Sequence, residues 1–135
     1  LIPLAIQSAS GGPELKIFGS NFLTPDGTAV RDYIHVEDLG RAHILALEYL
    51  LGNGPSEFLN LGTGQGHSVR QIVNSLKDLG VKVHSSDSDK RIGDPAYLVA
   101  DASKAKRVLN WSPEYTDIKE ILKTAIQWHQ KEFRN

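Results

Sequence analysis

Apolar residues recur along the chain with two periods, and the switching between them predicts the order of elements. Residues 2 to 10 (IPLAIQSAS) read as a short helix, with Pro3 tolerated in its first turn and Gly11-Gly12 ending it. LKIFG, 15 to 19, reads as a short strand. TPDGT, 24 to 28, sets Pro before Asp-Gly and predicts a tight turn. AVRDYIHV, 29 to 36, is rich in β-branched and aromatic residues and reads as a strand. In EDLGRAHILALEYLLGNG, Leu39, Ala42, Leu45, Ala46, Tyr49 and Leu50 fall at helical spacing. Acidic residues lie in the first turn and Gly52 closes the helix. Ile44, Leu47 and Leu51 widen its apolar face, which predicts a well-buried helix.

The second half repeats the mixture. SEFLNLG, 56 to 62, reads as a strand. Residues 68 to 80 then form an amphipathic helix with Val69, Ile72, Val73, Leu76 and Leu79 on one side and Gly80 after it. VKVHS, 81 to 85, alternates and reads as a strand. AYLVAD, 96 to 101, predicts a short extended stretch. ASKAKRVLNW gives a short helix capped by Asp101 or Ser103. The last helix carries Ile118, Ile121, Leu122, Ala125 and His129 on one face. There is no internal repeat, low-complexity segment or linker. Intermixed strands and helices predict α/β or α+β packing.

Composition narrows this picture little. The 135 residues suit one domain, and 40% hydrophobic with 23% charged residues fits a soluble globular chain. A net charge of −1 gives no global attraction to nucleic acid or anionic membrane. Without cysteine there is no disulfide framework and no thiolate metal site. No apolar run approaches the ~20 residues of a membrane span. LIPLAIQSA lacks the basic region and long apolar core of a signal peptide. It is already apolar and helix-like at its first residue, with no cap and no methionine, so we expect a piece of a longer protein.

NLGTGQGHS, 60 to 68, resembles a nucleotide-binding loop. Gly62 and Gly64 fit the first two places of G-x-G-x-x-G, but the third falls on His67 and Gly66 is one residue early. The Walker pattern is absent too. Asp87 and Asp89 lie where a ribose-binding acid would be expected, which is weak support. A local reading covers the same residues better. Ser68 and Gln71 have capping-box spacing, and the glycines supply the dihedrals of a strand-to-helix turn.

Other candidates are more specific. Arg31, at a strand edge, can grip phosphate as a fixed fork, or else pair with Asp32 or another surface acid. KRIGDPAY, 90 to 97, gathers Arg91, Asp94 and Tyr97 around Gly93 and Pro95, as a binding loop or as an ordinary surface turn. The histidines at 35, 43, 67, 84 and 129 form no pair at metal-ligand spacing with carboxylates. His43 and His129 read as packing or capping residues. YTDIK, 115 to 119, matches Tyr-x-x-x-Lys, in which an ammonium one helical turn away lowers a phenol pKa. Here Tyr115 precedes the cap at Thr116 or Asp117, so it falls outside the helix and reads as a hydrophobic staple.

These stretches converge on a family. KIFGSNFLTPDGTAVRDYIHVEDLGRAHILALEYL, FLNLGTGQGHSV, RIGDPAYLVADASKAKRVLNW and YTDIKEILKTAIQWHQ resemble the C-terminal part of the UDP-glucose (UDP-galactose) 4-epimerases. Those enzymes belong to the extended short-chain dehydrogenase/reductases, and the resemblance covers essentially the whole chain. TPDGTAVRDYIHVEDL is its most specific piece. Related dehydratases and decarboxylases share the looser R-D-x-x-x-V-x-D pattern.

The resemblance implies an α/β C-terminal substrate domain over residues 1–135, made of mixed short strands and helices, without the Rossmann NAD half. The glycine fingerprint, the catalytic Ser/Thr and the true Tyr-x-x-x-Lys would precede Leu1. No catalytic, cofactor-binding or metal residue is therefore expected in this chain, and NAD would bind only the full-length enzyme. The implied substrate contacts are Lys16, Ile17 and Phe18 along the strand beside the uracil, largely through backbone. Arg31 and Arg91 would meet the diphosphate, Asp94 a ribose hydroxyl, and Tyr33 and Tyr97 would border the pocket. Leu1 would fall next to the segment that approaches the nucleotide. Lys16 departs from the small or apolar residue that many relatives carry, and its stem could cover the base.

The implied reaction interconverts UDP-glucose and UDP-galactose through a 4-keto sugar, with NAD taking and returning the C4 hydride. Two arginines anchor the diphosphate so that the hexose can be held loosely. The implied partners are a UDP-sugar and the chain's own N-terminal NAD domain, with no nucleic acid or membrane. A cytoplasmic homodimer is expected for the full-length protein, and self-association for an isolated piece. The alternatives are the same domain of another sugar-nucleotide enzyme (dehydratase, decarboxylase or pentose epimerase) or a non-catalytic sugar-nucleotide-binding module.

Overall fold

A computed structural model describes residues 1–132. The elements run α1 (Ile2–Ala9), β1 (Leu15–Phe18), β2 (Val30–Asp32), α2 (Val36–Leu51), β3 (Gly66–Ser68), α3 (Val69–Asp78), β4 (Ser85–Ser88), β5 (Tyr97–Leu98), α4 (Ser103–Leu109) and α5 (Ile118–Glu132). This is the expected α/β mixture of helices and short strands. β1 pairs with β4 in parallel, with Leu15 opposite Ser85 and Phe18 opposite Ser88. A second sheet has the order β3-β2-β5, antiparallel on one side and parallel on the other.

Two apolar clusters hold these layers. Ala5 and Ile6 of α1, Leu15 of β1, Ile72 and Leu76 of α3 and Leu122 of α5 form the first. The 3.6-residue spacing of each helix puts these residues on one stripe facing the others. Ala42 of α2, Ala105 and Leu109 of α4, and Trp111 form the second. The Trp111 indole N–H donates to the Asp38 carbonyl at 3.0 Å, so the large ring is buried without an orphaned donor.

The helix ends follow local chemistry. Pro3 sits in the first turn of α1. The Ser68–Gln71 capping box forms in full: Ser68 Oγ accepts the Gln71 amide at 3.0 Å, and Gln71 Oε1 accepts the Ser68 amide at 2.8 Å. α5 begins after Asp117, whose carboxylate accepts the Lys119 amide. For α4, neither expected residue occupies the cap position, which falls on Ala102, although Asp101 Oδ1 accepts the Ser103 amide at 2.9 Å.

Four further expectations need correction. The strand expected over 29–36 stops at Asp32, because buried His35 turns its Nδ1 onto the Glu37 amide and starts α2. α2 is not well buried. Only Asp38 and Ala42 are enclosed, while Ile44, Leu47, Leu50 and Leu51 stay exposed, since α4 and Trp111 cover a single side. The stretch 56–62 forms no strand, for it has no partner to complete a ladder among the described residues, and Phe58 is 96% exposed. The strand expected at 81–85 lies further on, at Ser85–Ser88. Val81 and Val83 do pack on the first cluster, but pairing with β1 starts only where the His84 carbonyl accepts the Leu15 amide.

Candidate functional site

Side chains alternate sides along a strand, so Arg31 and Asp32 leave β2 on opposite faces. Arg31 Nη1 donates to the Val30 carbonyl at 2.7 Å and the Pro95 carbonyl at 2.9 Å, and Nη2 donates to Asp94. The ion pair weighed at the sequence level thus forms with Asp94 and not with Asp32. Both of its side chains are about three-quarters covered, at 22% and 26% exposure, so the fork is held in one geometry.

The loop between β4 and β5 reaches a second place. The Arg91 guanidinium lies 3.8 Å from the centre of the Phe18 ring, and Lys90 Nζ lies 4.4 Å from that of Phe22. These are cation–π distances. One loop therefore joins the end of β1, through Arg91, to the centre of the second sheet, through Asp94. Tyr97 follows on β5, opposite Val30, and is half exposed.

β1 supplies the floor. Ile17 is buried, so it has only backbone to offer. The Leu15 and Gly19 amides donate towards β4, to His84 and Ser88. In a parallel ladder the intervening Lys16 and Phe18 then turn their N–H and C=O groups to the other edge, which has no strand partner among the described residues. The Lys16 ammonium is tied to Glu14 at 2.6 Å and to Ser86 Oγ at 2.8 Å. The Lys16 bond first, and then one that Ser86 Oγ donates to Glu14 at 2.9 Å, hold the Glu14 carboxyl below its ordinary pKa.

Tyr33 stands apart from this group. Its ring packs against the first apolar cluster. Burial pushes its phenol up to about 12, against the opposing charge of Arg31. It stays protonated at neutral pH and is no candidate base. Tyr115 lies outside α5, as expected. Its ring stacks on His35 at 3.9 Å and its hydroxyl donates to Glu37 at 2.8 Å. That bond raises the phenol pKa, the reverse of what a Tyr-x-x-x-Lys pair does.

The glycine loop is filled from within. The Asp32 carboxylate accepts from Thr63 N–H at 3.0 Å, Thr63 Oγ1 at 2.7 Å, Gly64 N–H at 2.9 Å and Ala100 N–H at 3.3 Å. Gly64 has φ +75°, which lets its amide turn inward beside that of Thr63. The amides that would cradle a dinucleotide phosphate face an internal anion instead, so these residues do not fit NAD. Asp32 was the residue that sequence reasoning missed. The only signal for it was its place beside Arg31 on a strand, where alternation sends it to the opposite face.

At the other end of β2, Asp26 accepts from the Thr28 amide at 2.9 Å, from Thr28 Oγ1 at 2.7 Å and from Ser68 Oγ. Burial opposes its charge, but these bonds and nearby Arg70 outweigh burial and lower its pKa. No three His, Asp or Glu residues among those described converge as a metal site. No helix there is long and apolar enough to cross a membrane.

Residues 19–125 match the family model described as GDP-mannose 4,6 dehydratase. A protein named UDP-glucose 4-epimerase from Rhizobium leguminosarum bv. trifolii is 46% identical over 132 residues, covering 96% of this chain and 40% of its own. The structure of UDP-glucose 4-epimerase from Brucella ovis in complex with NAD matches at TM-score 0.88 and 44% identity, over 95% of this chain and 40% of that one. The enzyme from Stenotrophomonas maltophila, solved with NAD and formylated UDP-arabinopyranose, matches at TM-score 0.90 and 42% identity, over 99% and 40%. The chain therefore spans about 40% of the length of the curated relatives it matches.

Proposed function

The chain belongs to the GDP-mannose 4,6 dehydratase family, and from that membership we propose that it is the UDP-sugar-binding part of a UDP-glucose 4-epimerase. The observation that carries this reading is the loop 91–97. It sets Arg91 against Phe18 at the end of β1 and Asp94 against Arg31 of β2, so that one loop links two arginines and a carboxylate. Two guanidinium groups suit a diphosphate. Asp94 suits ribose hydroxyls. The free backbone of Lys16 and Phe18 suits the amide-like edge of uracil. Tyr97 would line the sugar side, whereas Tyr33 packs on the first apolar cluster.

In this reading residues 1–135 are one substrate domain, and NAD and the catalytic base belong to a preceding domain of the full-length protein. NAD would supply the hydride chemistry there. This chain's part is to hold the nucleotide while the hexose turns. The exposed apolar side of α2 and exposed Phe58 support a covering domain. The names of the relatives, and the NAD bound in their structures, support the same assignment. Soluble, cytoplasmic placement and a homodimer of the full-length protein are part of the proposal.

The test is UDP titration calorimetry on the full-length protein. Arg31→Ala and Arg91→Ala should each weaken UDP binding by about 1.5–3 kcal/mol, the worth of a charged hydrogen bond. Unchanged binding in both overturns the site. Turnover on a panel of UDP-sugars then separates hexose 4-epimerisation from pentose epimerisation. The UDP-pentose bound to the Stenotrophomonas enzyme makes the latter the second reading.

A further inference from the structure

We propose that Asp32 is a positioning residue for the nucleotide grip, acting through Arg31 and the segment 94–100. The inference rests on the reading of Arg31 as a diphosphate ligand.

Arg31 and Asp32 are neighbours on the central strand of the second sheet, and each holds a different end of one segment. Arg31 grips Asp94 and the Pro95 carbonyl, before β5. Asp32 accepts the Ala100 amide, after β5. Between them β5 contributes only two paired positions, Val30 with Tyr97 and Arg31 with Leu98. So short a ladder fixes a register weakly, and the two side-chain clamps set where the segment lies.

Asp32 can serve as the fixed point because it is itself held by the glycine loop. Three of its four hydrogen bonds come from Thr63 and Gly64. The carboxylate fits because residue 62 has no side chain. A Cβ there would sit 2.5 Å from Asp32 Oδ2 and 2.6 Å from the Ala100 Cβ. Loop, carboxylate and Ala100 thus form one rigid stack behind β2. A shift of that stack moves Asp94 and Pro95, and with them the orientation of the Arg31 fork. An asparagine at 32 keeps the size but turns an NH2 towards the amides that the carboxylate had accepted.

A double-mutant cycle in the full-length protein tests this. Asp32→Asn should weaken UDP binding about tenfold, the size of coupling usual for groups in contact. The KM for the UDP-sugar should rise while kcat stays near wild type. In an Arg31→Ala background the same change should alter UDP affinity by less than about twofold, because its effect passes through Arg31. Should D32N fail to fold, Thr63→Val removes one of the four bonds and goes through the same cycle, with about a threefold loss expected. An equal loss in both backgrounds, or no loss in either, overturns the positioning role. An Arg31→Ala protein that binds UDP like wild type overturns the grip itself, which distinguishes failure of the site from failure of this inference.

Discussion

Asp38 is the most committed side chain outside the site. It is fully buried and accepts from Arg41 at 2.8 Å, from the Glu114 amide at 2.9 Å and from the Tyr115 amide at 3.0 Å. Together with the Trp111 bond to its carbonyl, this fastens α2 to the segment that leads into α5. Asp38→Ala would leave two amides without an acceptor in a dry place. We expect a loss of about 2–4 kcal/mol in denaturant unfolding of the chain, since each unpaired buried group costs ~1–3 kcal/mol. His35 links the same parts from the other side. Its Nδ1 caps α2, its Nε2 lies 2.9 Å from Thr124 Oγ1, and its ring stacks on Tyr115. His35→Ala should cost about 1–2 kcal/mol by the same measurement, as expected for the loss of a cap.

Among the elements, the start of α3 has the clearest acid response. Asp26 braces both the turn before β2 and the Ser68 cap, and its folded-state pKa lies below the ordinary value. Its stabilisation is therefore complete above the unfolded-state pKa and is lost as the pH falls through the folded one. Asp26→Asn should flatten the acid limb of a stability-against-pH curve and leave its neutral region parallel to wild type. A curve of unchanged shape would count against this. The capping box was legible in the sequence because both of its partners lie within four residues, and so were the turn at 24–28 and the helical stripes. The strand over 56–62 was misread because a ladder depends on a partner that the segment itself does not encode. VKVHS was misread for a related reason. Its alternation told which side chains face inward, but not where the backbone would meet β1. At the candidate site, Arg31, Arg91 and Asp94 stood out in the sequence as charges on strand and loop, whereas the joining of Arg31 to Asp94 across 63 residues could not be read there.

On the scale of the whole molecule, apolar exposure is uneven. Ile44, Leu47, Leu50 and Leu51 form an uncovered side of α2. A patch of this kind marks a contact surface. The isolated chain should self-associate in sedimentation velocity, and Leu47→Lys with Leu51→Lys should shift it towards monomer with little change in melting temperature. The purified chain should show no epimerase turnover; measurable turnover would require the chemistry to be reassigned to residues present here. The pairing of β1 with β4 has a consequence in time. Lys16 meets Ser86 seventy positions later, and Ser8 reaches the His84 carbonyl across 76. Closing so long a loop carries an entropic cost before any contact repays it, and contacts of this range slow folding. As the chain leaves a ribosome, α1 and β1 emerge ahead of the strand and the two helices that bury them. They stay uncovered until residues 69–88 and 118–132 have followed them.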